Sequence, residues 1–181
     1  MYSRMHVLVE GRDDREFVNA VIRPMLQRQY DDVQVWEYAG ETITRRMNYI
    51  RSIQATNADY LFMADLDTSP CITERKNNLV NGHRGMIDAE CAVVVVKEIE
   101  SWYLAGVDEH ACQEFGIPNV PHTDHVTKEQ FRSRVPRRFN NFVVNFMMEI
   151  LRGFQIEVAK GRNRSFGYLM NRLETRSKEV E

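Results

Sequence analysis

Two aspartates one residue apart close an apolar run at Tyr60-Leu61-Phe62-Met63-Ala64-Asp65-Leu66-Asp67. Side chains two apart on a strand project to the same side. Asp65 and Asp67 therefore face one spot in front of the sheet, unless the backbone turns at Leu66. Paired ionised carboxylates repel unless a cation offsets them, and a hard divalent ion, Mg2+ or Mn2+, suits oxygen donors best. The same residues serve equally as caps for a following turn or helix. Glu10 ends a second apolar run at residues 5–9, and Glu98 and Glu100 follow a third at residues 92–96. In a parallel sheet these ends share one edge, where open α/β sheets bind their ligands. Carboxylates converging there from three strands would hold metal ions that polarise a phosphoryl oxygen and lower the pKa of an attacking water. For Glu98 and Glu100, favourable charge on a first helical turn is an equal reading.

The elements that must position these groups follow from periodicity. Residues 5–9, 33–36, 60–64 and 92–96 read as short, mainly apolar strands, the second marked by Val33, Val35 and Trp36. The four-valine run 93–96 reads as a central strand. Between them, Phe17, Val18, Val21, Ile22, Met25 and Leu26 recur at helical spacing, with Pro24 expected to kink or shorten that helix. Ile43, Met47, Ile50 and Ile53 mark a second helix, and the polar stretch 71–90 reads as a short weak helix and a mobile loop. Strands alternating with helices predict a mainly parallel sheet of about four strands. After Lys97 the pattern turns helical. Pro118 and Pro121 break it, and Thr127-Lys128-Glu129-Gln130 matches a capping box. The stripe Phe142, Val143, Phe146, Met147, Ile150 and Leu151 reads as core, and Phe166, Leu169, Met170 and Leu173 as a last helix.

At 181 residues the chain fits one domain with an appendage. We expect an α/β domain over residues 1–105 and a helical C-terminal extension over 106–181, packed on the same domain. The total charge of −2 gives no nucleic-acid signal, but its distribution is uneven. Residues 1–100 carry a net −4, residues 101–125 hold four acids and no Lys or Arg, and residues 126–164 carry a net +6. Arg137, Arg138, Arg162, Arg164 and Lys97 are candidate phosphate contacts, with an ordinary solvated basic surface as the plainer alternative. Cys71, Cys91 and Cys112 are odd in number and far apart, with no CxxC, so neither a zinc ribbon nor a disulfide framework is suggested. His122 and His125 lack companions at ligand spacing. No apolar run reaches membrane-spanning length and the N-terminus shows no signal segment, so the cytoplasm is the default.

Val9-Glu10-Gly11-Arg12-Asp13-Asp14 resembles the first motif of the Toprim domain, a glutamate after a strand and before a glycine. Asp65-Leu66-Asp67 resembles its second, the DxD after the third strand. The resemblance covers roughly residues 4–105. It implies a Rossmann-like sheet whose Glu10, Asp65 and Asp67 bind Mg2+ or Mn2+ for phosphodiester chemistry on DNA or RNA. Glu98 and Glu100 would then support a second ion. Lys97-Glu98-Ile99-Glu100-Ser101-Trp102 and Asn163-Arg164-Ser165-Phe166 resemble segments of stand-alone Toprim-like proteins of bacterial defence, akin to the OLD (overcoming-lysogenization-defect) nucleases. Such proteins are often paired with an ABC-type or AAA-type ATPase. No Walker-type GxxxxGK[ST] occurs here, so that ATPase would be a separate polypeptide. Two rival readings stand beside a nuclease: a non-catalytic Toprim-like binding module, and a haloacid-dehalogenase-like phosphatase using Asp65 as nucleophile.

Overall fold

The computed structural model describes residues 2–139 and 142–179. The chain divides into two compact units, Met1–Val95 and Val96–Glu181.

The first unit is a Rossmann-like α/β layer. Strands β1 (Arg4–Val9), β2 (Asp32–Glu37), β3 (Asp59–Asp65) and β4 (Ala92–Val95) form one sheet in the order β2-β1-β3-β4, with every neighbouring pair parallel. The connections are helical: α1 (Arg12–Phe17) and α2 (Arg23–Leu26), then α3 (Ile43–Ala55), then α4 (Ile72–Gly82). Helices on the crossovers cover the sheet, which is why the middles of the inner strands, Val7–Val9 and Tyr60–Ala64, are apolar and buried. Leu8, Tyr60, Phe62 and Ala64 pack with Ile50 and Ile53 of α3 and Leu79 of α4 in one cluster.

Two local outcomes, in α4 and β4, differ from the sequence expectation. Pro24, expected to kink or shorten its helix, lies in a continuous helical run that ends at Leu26. A π-helical turn, Val18–Ile22, joins α1 to α2, and the Arg23 N–H reaches back to the Val18 carbonyl. This widened turn accommodates the ring, which an α-helical interior would not. The polar stretch after residue 71 carries eleven helical residues, α4, capped at its N-terminus by the Cys71 thiol, which accepts from the Glu74 N–H at 3.5 Å. Finally, β4 is the end strand of the sheet, not a central one. All four of its side chains are buried. Side-chain burial reports what covers the faces, whereas strand order is set by backbone pairing.

The second unit is helical: α5 (Glu100–Ala105), α6 (Glu109–Phe115), α7 (Lys128–Arg134), α8 (Val143–Arg152), α9 (Ile156–Arg162) and α10 (Arg164–Glu179). The expected capping box opens α7, with Thr127 accepting from the Gln130 N–H and Gln130 accepting from the Thr127 N–H. Gly106 follows α5 where a Cβ would stand 2.3 Å from the Phe154 ring, so only glycine allows that packing. Phe146, Met147 and Ile150 of α8 are buried as expected, but Phe142, at the start of that stripe, is 63% exposed. The residues expected to mark the last helix, Phe166, Leu169, Met170 and Leu173, are all buried. Among the described residues no helix is long and apolar enough to cross a membrane.

Candidate metal-binding edge

In the order β2-β1-β3-β4 the chain leaves β1 for β2 on one side and later returns to β3 on the other. The connections therefore diverge between β1 and β3. An open parallel sheet binds its ligand in the crevice at such a switch point, outside the carboxyl ends. Glu10 directly follows β1 and Asp65 is the last residue of β3. The register pairs Leu8 with Phe62, so the two strands run side by side toward this edge. Residues 55 positions apart in sequence thus end neighbouring strands.

Glu10 is half-buried. Its Oε2 atom is buried and has no hydrogen-bond partner, while its backbone carbonyl accepts from the Ala39 N–H at 3.0 Å. Gly11 has extended backbone, φ −143°, which any residue can adopt, and a Cβ there would meet Asp14 Oδ2 only at an ordinary 3.8 Å. The fold itself does not demand glycine at this position. Asp14 caps the turn by accepting from the Gly11 N–H at 3.2 Å.

Asp65 and Asp67 do not continue one strand. The ladder runs one residue past β3, with the Leu66 N–H donating to the Val95 carbonyl at 2.8 Å. The backbone then turns. Asp67 takes a left-handed conformation, φ 51°, and the Ser69 N–H bonds the Leu66 carbonyl at 3.1 Å. Aspartate tolerates that region better than most residues. The Asp67 side chain is 52% exposed and pairs with Arg75 of α4 at 2.6 Å.

Tyr38, just past β2, ties the edge together. Its hydroxyl donates to the Met63 carbonyl at 2.7 Å, and its ring stacks on Phe62 at 4.6 Å with Arg46 5.0 Å from its centre. Burial, and then the negative charges of Glu10 and Asp14, push its pKa well above the ordinary tyrosine value, against the opposing pull of Arg75 and Arg46. These charges therefore share one neighbourhood. Tyr38 and Arg75 carry no motif, and only this spatial arrangement connects them with the carboxylates.

The remaining predicted residues lie in the second unit. Glu98 accepts from the Lys128 N–H at the start of α7. Glu100 is buried with the Lys128 ammonium 3.4 Å away, and burial raises its pKa. Lys97 is exposed in left-handed backbone, φ 67°. Arg137 and Arg138 are exposed, and Arg138 lies over the Phe139 ring at 5.0 Å. Arg162 donates to the Val107 carbonyl at 2.6 Å, and Arg164 sits 3.6 Å from Asp124.

The two later segments singled out in the sequence meet in a buried polar knot. Asn163 donates to Ser101 at 3.3 Å and to Thr123 at 3.1 Å, while its carbonyl oxygen accepts from the Ser165 hydroxyl at 2.8 Å and the Phe166 N–H at 3.0 Å. Ser165 in turn accepts from the Trp102 indole at 2.8 Å and the Val96 N–H at 3.3 Å.

Among the described residues no group of three or more His, Cys, Asp or Glu side chains is arranged as a metal cage. The donor chemistry of the carboxyl edge nonetheless fits Mg2+ or Mn2+. Its oxygens are hard, Glu10 Oε2 is buried without a partner, and Mg2+ is commonly held by one or two carboxylates with water and substrate phosphate completing the shell.

No family model matches the chain, and no curated protein matches it. Among solved structures, it is similar to the C-terminal region of the Xanthomonas campestris pv. campestris OLD protein, at 17% identity, covering 92% of this chain and 84% of that one with a TM-score of 0.39. A likeness of that degree leaves the functional reading to the residues themselves.

Proposed function

We propose that the chain is a metal-dependent nuclease of Toprim type that hydrolyses phosphodiester bonds of DNA or RNA. The observation that carries this reading is the placement of Glu10 and Asp65 at the ends of neighbouring strands beside the switch point of a parallel sheet. Glu10, Asp65 and Asp67 are the residues to hold Mg2+ or Mn2+. The bound ion would polarise a phosphoryl oxygen and make a water nucleophilic near neutral pH. Glu10 would contribute its buried oxygen either to the ion or to the proton of that water. Tyr38 acts as a positioning residue, because its hydroxyl is committed to the Met63 carbonyl and its raised pKa disfavours the phenolate nucleophile. Glu98 and Glu100 would reach a second ion only by giving up Lys128. Lys97, Arg137, Arg138 and Arg164 are exposed and suit phosphate contacts, whereas Arg162 already serves the Val107 carbonyl. The resemblance to defence-type proteins extends the proposal to a separately encoded ABC-type or AAA-type ATPase partner.

The Asp67–Arg75 ion pair favours a second reading, a non-catalytic binding module of the same fold, because it neutralises one of the proposed ligands. Incubating the protein with plasmid, single-stranded DNA and RNA, with Mg2+, Mn2+ or EDTA, separates the two. Divalent-dependent cleavage that disappears in Asp65→Ala supports the nuclease. Nucleic-acid binding without cleavage supports the module. Phosphate release from a small phosphoester alone would replace both with a phosphatase.

A further inference from the structure

Arg75 stands at an electrostatically unfavourable place. It lies near the start of α4, whose N-terminal residue is capped by Cys71, and a cation near a helix N-terminus opposes the helix dipole. Its side chain is only 18% exposed, and its Nε atom is buried with no hydrogen-bond partner. What the guanidinium does have is Asp67 at 2.6 Å, and Tyr38 feels its charge together with those of Glu10 and Asp14. Arg75 is thus a largely buried positive charge of the carboxyl edge, held against the more exposed member of the DxD pair. Asp67 sits in a left-handed turn and is half-exposed, so its carboxylate can exchange partners without disturbing the β3 ladder.

We propose that Arg75 is a built-in counter-ion for Asp67 that yields to a divalent cation and then binds a substrate phosphate. This rests on the metal-site reading above. In the exchange each charge keeps a partner of opposite sign. The carboxylate passes from guanidinium to metal, and the freed planar fork is suited to bidentate contact with a phosphate. Nucleic acid and metal would then bind with positive coupling, because each relieves a cost of placing the other.

The test uses Arg75→Gln, which keeps much of the packed stem, Arg75→Lys, which keeps the charge, and the wild-type chain. Mn2+ binding without nucleic acid is measured by calorimetry. Single-stranded DNA binding is measured in Ca2+ across a salt series. Arg75→Gln is expected to bind Mn2+ about three- to fivefold more tightly, the factor that a partly exposed ion pair is worth. The same variant should lower the slope of log affinity against log salt by about 0.7 for single-stranded DNA. Arg75→Lys, with its charge retained, should keep the wild-type salt slope and fall between the two in Mn2+ affinity. Wild type that binds Mn2+ while a folded Arg75→Gln binds it equally or more weakly overturns the exchange and leaves the metal site standing. An unchanged salt slope in Arg75→Gln overturns the phosphate contact. Wild type that takes up no Mn2+ overturns the metal site, and the exchange with it.

Discussion

Asp65-Leu66-Asp67 and Glu98-Ile99-Glu100 have the same acid-x-acid spacing and each follows a buried strand, yet their surroundings differ in kind. Glu98 receives the first N–H of α7 and Glu100 is buried against the Lys128 ammonium, so one lysine occupies both through its backbone and its side chain. Nearby, Asn163 has four hydrogen bonds within a closed network. At the carboxyl edge of the first unit, by contrast, Glu10 keeps a buried oxygen without a partner, and Asp67 is half-exposed on a turn. A satisfied polar cluster fixes structure; an under-satisfied one is where an added cation gains most. Spacing alone does not separate the two cases, and the neighbouring donors and cations do.

The largest expected effect lies at the open edge. Glu10→Ala or Asp65→Ala should reduce Mg2+-dependent cleavage by about a thousandfold, the scale of losing a main electrostatic element of catalysis. Either substitution should leave the melting temperature in EDTA unchanged or raised, because like-charge repulsion at this edge is relieved. Cleavage near the wild-type rate in both variants would erase the contrast drawn above.

Next in size is the closed network. Asn163→Ala should destabilise the fold by about 3 kcal/mol, since it strands Ser101, Thr123, Ser165 and the Phe166 N–H without a common partner. Denaturant unfolding checks this. Mn2+ affinity should not change, because the network supplies no ligand. A variant as stable as wild type would mean that these hydrogen bonds are readily replaced.

Glu98→Ala should cost about 1 kcal/mol, the size of a lost helix cap, and leave Mn2+ binding intact. A tenfold loss of Mn2+ affinity in this variant would move Glu98 into the metal site. The smallest effect is at Glu100. Burial raises its pKa, so the folded state retains its proton to higher pH than the unfolded chain. Its contribution therefore turns destabilising as pH rises above the ordinary glutamate value of about 4.3, and the cost levels off above the raised folded value. Glu100→Gln should remove that slope and match or exceed wild-type stability at neutral pH by about 1 kcal/mol or less. Melting curves across the pH range give the answer, and a steeper loss of stability in the variant would show that the Lys128 pairing outweighs burial.

Much of this arrangement was legible in the sequence because it rests on patterns along the chain. Four mainly apolar runs separated by helical stripes implied parallel strands, and parallel strands place Glu10 and Asp65 on one edge. The capping box at Thr127 was likewise local. Helix α4 was underestimated because only Leu79 of its eleven residues is buried, leaving no apolar stripe to read. The position of β4 was misjudged because four buried valine and alanine side chains report covered faces rather than backbone pairing. The turn at Leu66 was an open alternative that strand alternation alone could not decide. Lys128 lies 30 residues from Glu98, and Arg75 has no motif, so both pairings came only from the three-dimensional structure.

The central claim is that a divalent ion binds at the β1/β3 switch point rather than at the second acidic pair. Anomalous scattering from a crystal soaked in Mn2+ tests it most directly. The account predicts a peak bounded by Glu10 and Asp65, with Asp67 turned from Arg75 toward it. A peak at Glu98 and Glu100 alone, or none in a well-ordered soaked crystal, would contradict it.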